Sequence, residues 1–306
     1  MSKKMISNLL LLLTALIWGS AFVAQKAGAV LEPLTYSAVR TLISAVALVP
    51  VVLVLRRTRK PEEAPAPEAA AAYRRNTIVG GIVVGVVYSV ASGLQQFGIF
   101  FDTDAGKAGF ITALYIVIVP ILGIFIGKKT RLLVWVCVVL GAIGFYLLTM
   151  AGKGGGFTLE KGDFFVLLCS VAFSVHILTI DHYSPKADGV ALSCIQFFVA
   201  GTIFLIGMLL FEKPVLSEIL ACWFPIIYAG VLSGAVAYTL QIVAQKNADP
   251  AQASLILSLE SVFAALSGAL LMHERMTGIE LAGCAVIFAA VILAQLPSKE
   301  ERLSAK

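Results

Sequence analysis

The sequence predicts an all-α integral membrane protein, with ten transmembrane helices arranged as two inverted five-helix repeats and both termini in the cytoplasm. Three observations predict this fold. Apolar residues make up 59% of the 306 residues and charged residues only 13%, whereas soluble domains contain about 25% charged residues. The charged residues cluster, and long uncharged runs lie between the clusters. The second half of the chain also repeats the pattern of the first half.

The uncharged runs define the spans, because a helix needs about 20 apolar residues to cross the hydrocarbon core. In chain order, the predicted spans are residues 5–25, 34–55, 76–101, 108–127, 132–152, 164–180, 189–211, 219–245, 251–272 and 281–297. Of the 23 Lys and Arg residues, sixteen lie on the side of the amino terminus, six on the opposite side and Arg40 within a span. Positive charge is enriched in cytoplasmic segments, so we expect both termini in the cytoplasm.

The two predicted repeats are residues 5–152 and 162–297. In their first two spans Phe173-Ser174 takes the place of Trp18-Gly19 and Gln196 takes roughly the place of Arg40, and from residue 85 onward the repeats align at an offset of 145 residues. Glu260, the single charged residue of the ninth span, then falls on Tyr115, and Gln241 falls on Gln96. Because five is an odd number, the second repeat enters the membrane from the opposite side. Inverted repeats with solute sites near the midplane are typical of secondary transporters.

Three features of the sequence have structural rather than functional interpretations. Residues 56–75 are rich in Arg, Pro, Glu and Ala and are expected to form a disordered cytoplasmic loop. The first span is longer than the apolar region of a signal peptide, so we expect it to be retained. The five cysteines lie in or beside spans without a C-x-x-C pair and are expected to be buried apolar fillers.

The first two spans contain candidate cavity residues. One interpretation is that Gly19 and Ser20 let the first span pack closely on a neighbouring helix. The alternative is that Trp18 and Phe22 form part of the wall of a solute cavity. A charge within a span usually faces the bundle interior or water, so Arg40 is expected to face the cavity and would suit an anionic solute. The third span adds polar residues, and the eighth span repeats its pattern. These two spans contribute Tyr88, Gln95, Gln96, Tyr238 and Gln241.

The remaining candidates lie in the fourth, sixth and ninth spans. The fourth span contains Tyr115 and Pro120, and the proline is expected to kink the helix. An ionised carboxylate at mid-bilayer costs at least ~2.5 kcal/mol, so Glu260 must be protonated, paired or hydrated. Glu260 either titrates and exchanges a proton for solute, or is a fixed anchor bonded to a neighbouring helix. His176 is either a second proton carrier or a hydrogen-bonded core residue, which is the commoner role.

Other function classes find little support in the sequence. The spans contain no H-E-x-x-H or G-x-S-x-G motif and no pair of membrane aspartates, so neither an enzyme nor a bound metal or cofactor is expected. No segment resembles a selectivity filter of a channel. We attribute the net charge of +5 to the orientation of the protein in the membrane and not to nucleic-acid binding.

Three motifs resemble the drug/metabolite transporter superfamily, in its ten-helix EamA-type branch. They are W-G-S-x-F at residues 18–22, G-K-A-G-F at residues 106–110 and S-L-E-x-V-F-A-A-L at residues 258–266. The resemblance covers residues 5–296 and implies a plasma-membrane permease that moves metabolites, amino acids or drug-like solutes, often outward. The branch often has a Gly-Glu pair where this chain has His273-Glu274. Four-helix relatives carry a carboxylate in the first span; this chain has none there, so their coupling chemistry does not transfer.

We therefore expect a secondary-active exporter of amino acid-like or drug-like solutes that works by alternating access, with protons as a candidate coupling ion. An uncoupled facilitator or exchanger, an uptake permease, a channel-like protein and a non-transport membrane protein stay open as alternatives. The expected partners are a small solute and the lipid bilayer, and a monomer and a homodimer are both open. The aromatics, amides and one charge of each sign favour a small zwitterion. The expected cavity residues are Trp18, Phe22, Arg40, Tyr88, Gln95, Gln96, Tyr115, His176, Tyr238, Gln241 and Glu260.

Overall fold

The helices of the protein follow the predicted spans. A computed structural model describes residues 3–58, 66–101, 103, 105–149, 160–271, 277–294 and 296, and all regular structure within them is helical. Eight helical segments of this part of the chain are long and apolar enough to cross a membrane, and two shorter apolar helices cover 132–147 and 278–294. His273-Glu274 and the 153–159 linker lie outside the described residues.

The helix bounds are as follows. The first half of the chain contains α1 Lys3–Gly28, α2 Pro33–Thr58, α3 Pro67–Phe100, α4 Ala105–Thr112, α5 Tyr115–Phe125 and α6 Leu132–Thr149. The second contains α7 Lys161–Tyr183, a 3₁₀ turn Ser184–Lys186, α8 Gly189–Phe211, α9 Leu216–Ala221, α10 Trp223–Ile227, a π-helix Tyr228–Tyr238, α11 Thr239–Gln245, α12 Pro250–Leu257, α13 Leu259–Leu271 and α14 Gly278–Ala294.

Acidic side chains cap some of the helix starts. The Asp249 carboxylate accepts the backbone N–H groups of Ala251 and Gln252 at 3.0 and 3.3 Å, and thereby caps α12. At the start of α2 the cap comes from the other repeat. The carboxylate of Glu212, just after α8, accepts the backbone N–H groups of Leu34 and Thr35 at 2.8 and 2.6 Å. This contact satisfies exposed N–H groups of the α2 terminus and ties α2 to α8.

The loop predicted for residues 56–75 is shorter than expected. Residues 56–58 end α2, and Pro67 begins α3, so residues 67–75 are helical rather than disordered. The physical reason lies in the Glu-Ala-Ala-Ala-Ala stretch that follows Pro67, because alanine has the highest helix propensity and proline favours the first helical position. Residues 59–65 lie outside the described part of the chain.

The fourth and ninth spans are each broken into two helices. The break falls at Ala113 and Leu114 in the fourth span and at Ser258 in the ninth; at the offset of 145, Ser258 corresponds to Ala113. Pro120, where a kink is expected, lies within α5, and the break of this span lies ahead of it. The backbone instead tightens ahead of the proline, where the N–H groups of Ile116 and Val117 bond the carbonyls three residues earlier.

Helix packing follows one pattern in both halves. The α1 helix packs on the eighth and ninth spans, and α7 packs on the third and fourth. The α2 helix packs on α8 and the eighth span, while α8 packs on α3, and α6 pairs with α14. When the two halves are exchanged, the α2–α8 and α6–α14 contacts are unchanged, and each of the other contacts becomes another contact of the set. The five cysteines are free and buried, as predicted.

The contact between α1 and α13 is close enough to require glycine. A Cβ atom on Gly19 would lie 2.6 Å from the backbone oxygen of Glu260 and 2.8 Å from the backbone nitrogen of Ala264. Small residues permit such backbone approach in membrane helices. This supports the packing interpretation of Gly19, and it brings Trp18 and Phe22 beside the ninth span.

Candidate functional site

A narrow cavity lies between the two halves, at the level of the breaks in the fourth and ninth spans. The volume of this cavity is about 30 Å³, which leaves room for about two water molecules. Ligand pockets are far larger, with typical volumes of 300–1,000 Å³. The cavity is therefore nearly closed. It is lined by Trp18, Phe22, Gln25, Arg40, Gln95, Thr112, Tyr115, Phe173, Ile177, Ser233, Tyr238, Gln241 and Glu260.

Eight of the eleven expected cavity residues line this space, and Tyr88, Gln96 and His176 do not. Consecutive helix residues point about 100° apart, so Gln95 faces the cavity while Gln96 is fully buried elsewhere. For the same reason His176 points away although its neighbour Ile177 lines the cavity. Tyr88 lies behind the wall, with its ring edge-on to Tyr238 at 4.9 Å between centroids.

His176 belongs to this outer layer. Its Nε2 lies 3.2 Å from the Oε1 of Gln196, the residue that takes the place of Arg40 in the second repeat. Its ring also packs against the rings of Tyr88 and Tyr238 at 5.9 and 5.8 Å. His176 is fully buried, and its Nδ1 has no hydrogen-bond partner among the described residues.

Five lining residues were missed by sequence reasoning. Phe173 and Ile177 take the places of Trp18 and Phe22 in the second repeat, so consistent use of the repeat would have found both. Gln25 lies three positions after Phe22, on the same helix face, and helical spacing would have found it. Thr112 and Ser233 carry no signal that distinguishes them from other hydroxyl residues in spans.

Glu260 and Tyr115 meet at the centre of the site. The Tyr115 hydroxyl donates a hydrogen bond of 2.9 Å to the Oε1 of Glu260, and both side chains are almost fully buried. The two residues are equivalent positions of the two repeats, each at the first turn after its helix break. Nearby, the Ser261 hydroxyl donates to the Gly109 carbonyl at 2.9 Å, so the two broken spans are bonded to each other at this level.

Arg40 supplies the positive charge of the site. Its Nη2 donates to the Ser92 hydroxyl at 2.7 Å, and its guanidinium carbon lies 5.3 Å from the centre of the Tyr36 ring. The Nε of Arg40 has no hydrogen-bond partner, and no ion pair of this residue occurs within the described ranges. Arg40 is only 5% exposed. A buried guanidinium without a carboxylate partner has donors available for an anion.

Two amides add unpaired acceptors. The Oε1 atoms of Gln25 and Gln241 are buried and receive no hydrogen bond from the described residues. Leaving a buried polar group unsatisfied costs about 1–3 kcal/mol, so these atoms require water or a donor from a solute. The cavity therefore combines one anionic group, one cationic group and amide acceptors within aromatic walls.

The eighth span reaches the cavity through its π-helix, Tyr228–Tyr238. Side chains of α1 and α2 donate to the carbonyls of this segment: Ser44 to Gly230 at 2.6 Å, Trp18 to Ser233 at 3.2 Å and Thr14 to Ala237 at 3.2 Å. The π-helix geometry is less common than the α-helix and is frequent at functional sites. Here it joins the eighth span to two helices of the first repeat.

Two ion pairs connect the fourth span to α7. The Nζ of Lys107 lies 2.5 Å from the Oδ2 of Asp163 at one end, and the Nζ of Lys128 lies 2.6 Å from the Oδ2 of Asp181 at the other. Asp163 is fully buried. The two segments therefore run parallel, and each end of the contact joins the first repeat to the second.

Comparison with known proteins agrees with the transporter character of this geometry. Two segments, residues 5–150 and 160–296, match the sequence model of the EamA-like transporter family. An uncharacterized transporter of Archaeoglobus fulgidus is 27% identical over 96% of this chain and 87% of its own length. The uncharacterized inner membrane transporter YedA of Escherichia coli K12 is 24% identical over 92% of this chain and 88% of its own. The chain also aligns with the crystal structure of another protein, with a TM-score of 0.72 and 18% sequence identity. The alignment covers 98% of this chain and 99% of the chain in that structure.

Proposed function

Since the chain belongs to the EamA-like transporter family, we propose that it moves a small organic solute out of the cell through the central cavity by alternating access. The observation that carries this proposal is the nearly closed cavity between the two halves, with charged groups and unpaired amides inside it. A cavity this small cannot admit a metabolite without a change in helix packing. Binding and release of a solute therefore require the halves to move relative to each other.

The topology that we propose has ten crossings, two inverted repeats and cytoplasmic termini in the plasma membrane. The two separate family matches and the equivalent packing of the halves support the repeats. The α14 helix has 17 residues, about 26 Å at 1.5 Å per residue, slightly shorter than a 30 Å hydrocarbon core. Bilayers accommodate such a mismatch at modest cost. The relative YedA is named an inner membrane transporter, which supports the plasma membrane.

The solute that suits the cavity best is a small zwitterion of the amino acid type. Arg40 would bind its carboxylate through the guanidinium donors. The Oε1 atoms of Gln25 and Gln241 would accept from its ammonium group, and Glu260 supplies the opposite charge. Trp18, Phe22 and Tyr238 would contact its apolar part.

Coupling is assigned to Glu260, which would exchange a proton for the solute. A carboxylate with one hydrogen-bonding partner among the described residues is costly at mid-bilayer unless it is protonated or neutralised by a bound cationic group. Proton and ammonium group then compete for the same oxygen atoms. This competition gives exchange without any further titrating group.

Solute-driven proton movement in proteoliposomes tests this function. Wild type and Glu260→Gln would be assayed with a panel of amino acids, nucleobases and organic cations, and Glu280→Gln, in the first turn of α14, is the matched control. We expect protons to move with one amino acid class in wild type and in the control, and to stop in Glu260→Gln while solute still binds. Coupling preserved in Glu260→Gln would make Glu260 an anchor.

A further inference from the structure

A second cavity lies at the end of the bundle that carries the amino terminus. It has a volume of about 290 Å³, close to the lower limit of known ligand pockets and much larger than the central space. Its wall is formed by three separate segments: the first turn of α1, the loop before α6 and the turn before α12. It is lined by Lys4, Lys129, Thr130, Arg131, Val134, Asn247, Asp249 and Gln252.

More basic than acidic side chains line this cavity. Three of the lining residues are cations, Lys4, Lys129 and Arg131, and one is the carboxylate of Asp249. The Oδ1 of Asp249 already accepts two backbone N–H groups as the cap of α12, and part of its charge is thereby compensated. The neighbouring cation, Lys128, is paired with Asp181 and does not line the cavity.

The wall of the cavity is held in place by hydrogen bonds to Leu296 and to the end of α14. The Nη2 of Arg131 donates to the Leu296 carbonyl at 2.9 Å, and the Nε2 of Gln252 donates to the Ala294 carbonyl at 3.3 Å. Gln252 is only 8% exposed. Lys129 is exposed and Lys4 and Arg131 are partly buried, and all three line the same cavity.

In the topology proposed above, this cavity lies at the level of lipid headgroups. Apolar side chains beside the loop before α6 are strongly exposed: Phe125 by 82%, Ile126 by 59% and Leu132 by 80%. In a protein with this composition such side chains contact lipid tails. A phosphate group of a lipid whose tails lie along these residues would lie beside Lys129 and Arg131. Basic pockets between helices at the cytoplasmic surface bind anionic headgroups.

We propose that this cavity, which we name the basic cavity, binds a phosphate-bearing anion, such as the headgroup of an anionic phospholipid in the cytoplasmic leaflet. The ligand would contact both repeats, because Lys129 and Arg131 belong to the first and Gln252 to the second. Binding would therefore favour one relative position of the repeats. This site depends on the topology proposed above and is independent of the identity of the transported solute.

Binding of defined lipids to the purified full chain in detergent tests the proposal, with phosphatidylglycerol, phosphatidylcholine and inorganic phosphate as probes. The test variant is Lys4→Gln/Lys129→Gln, which leaves the Arg131 contact intact. The matched control is Arg56→Gln/Arg57→Gln, which removes the same charge from exposed positions on the same side. Each Lys or Arg near an anionic lipid is worth roughly a factor of five. We expect about 25-fold weaker phosphatidylglycerol binding in the test variant and less than about threefold in the control.

Three outcomes decide the proposal and its ligand. Selective loss of phosphatidylglycerol binding, with weak phosphatidylcholine binding throughout, supports a lipid headgroup. Selective loss of inorganic phosphate binding, without preference between the two lipids, supports the same site with a soluble phosphate as its ligand. Equal effects of the test and control variants, or no effect of either, overturn the proposal. Because binding is measured without transport, failure here is distinct from failure of the proposed function.

Discussion

At the scale of single residues, the site depends on two equivalent positions that have diverged. Tyr115 and Glu260 occupy the same place in the two repeats, and their side chains meet across the pseudo-symmetric interface at 2.9 Å. One repeat thus supplies a carboxylate and the other supplies a neutral donor to it. A hydrogen bond to a charged group is worth about 1.5–3 kcal/mol, so we propose that Tyr115 is a positioning residue for Glu260.

Tyr115→Phe tests that role with little change in shape. We expect the variant to fold and to move solute with coupled protons at a rate lowered about tenfold or more, because the Glu260 carboxylate loses its donor. The pH dependence of coupled flux in proteoliposomes should shift as well, which a purely structural effect would not produce. Tyr146→Phe, at an exposed position of α6, is the control. An unchanged rate and pH profile in Tyr115→Phe would refute the role.

Arg40 provides a second prediction at this scale. In Arg40→Gln the KM for the carboxylate-bearing solute should rise about tenfold or more, since charge-assisted contacts to an anion are lost. Arg40→Lys should recover part of this affinity at most, because an ammonium group lacks the planar fork of guanidinium. Transport kinetics over a range of solute concentrations measure both variants, with the exposed Arg57→Gln as control. An unaltered KM in Arg40→Gln would mean that the solute binds elsewhere.

The sequence predicts charged and aromatic cavity residues better than it predicts amides. A charge within an apolar span must have a partner, water or a cavity, so Arg40 and Glu260 are recognisable without a structure. Gln95 and Gln96 are chemically identical neighbours, and only the rotation of α3 decides which one faces the cavity. That rotation depends on packing against α7 and α8, which no local pattern encodes.

At the scale of helices, the breaks in the fourth and ninth spans matter most. Both occur at equivalent positions, Ala113 and Ser258, and both bring the following turn to the cavity. Discontinuous helices line the sites of many secondary transporters. The spans themselves were predictable from uncharged length. The breaks were not predictable from the sequence, because Pro120 indicated a kink further along the fourth span. The breaks lie where the two broken spans bond to each other, for example through the Ser261 hydroxyl and the Gly109 carbonyl.

Gly19→Ala tests the contact between α1 and the ninth span. The added Cβ would lie 2.5–2.8 Å from atoms of Glu260, Phe263 and Ala264, two of them backbone atoms, so the helices must separate. We expect destabilisation by about 1–3 kcal/mol, seen as a lower Tm in detergent. The matched control is Gly278→Ala, where no atom lies within 4 Å of the added group. An equal Tm for the two variants would contradict the close packing.

At the scale of the whole molecule, the two halves enclose a cavity that is too small for a solute and are joined at several levels. Glu212 caps α2, and the pairs Lys107–Asp163 and Lys128–Asp181 connect the fourth span to α7. Transport by alternating access requires that contacts at one end open while those at the other persist. The order of the apolar helices was predictable from the sequence, since hydropathy varies along one dimension. The closed state of the cavity depends on three-dimensional packing.

The central claim is that one cavity between the repeats opens in turn to both sides of the membrane. Ser233→Cys would place a thiol of nearly the same size at the cavity wall, in a background where the five buried cysteines are replaced by alanine or serine. A membrane-impermeant thiol reagent would then be applied to right-side-out and to inside-out vesicles, with and without solute. We predict labelling from both sides and protection by the transported solute. Labelling from one side only, or labelling that solute does not change, would contradict alternating access through this cavity.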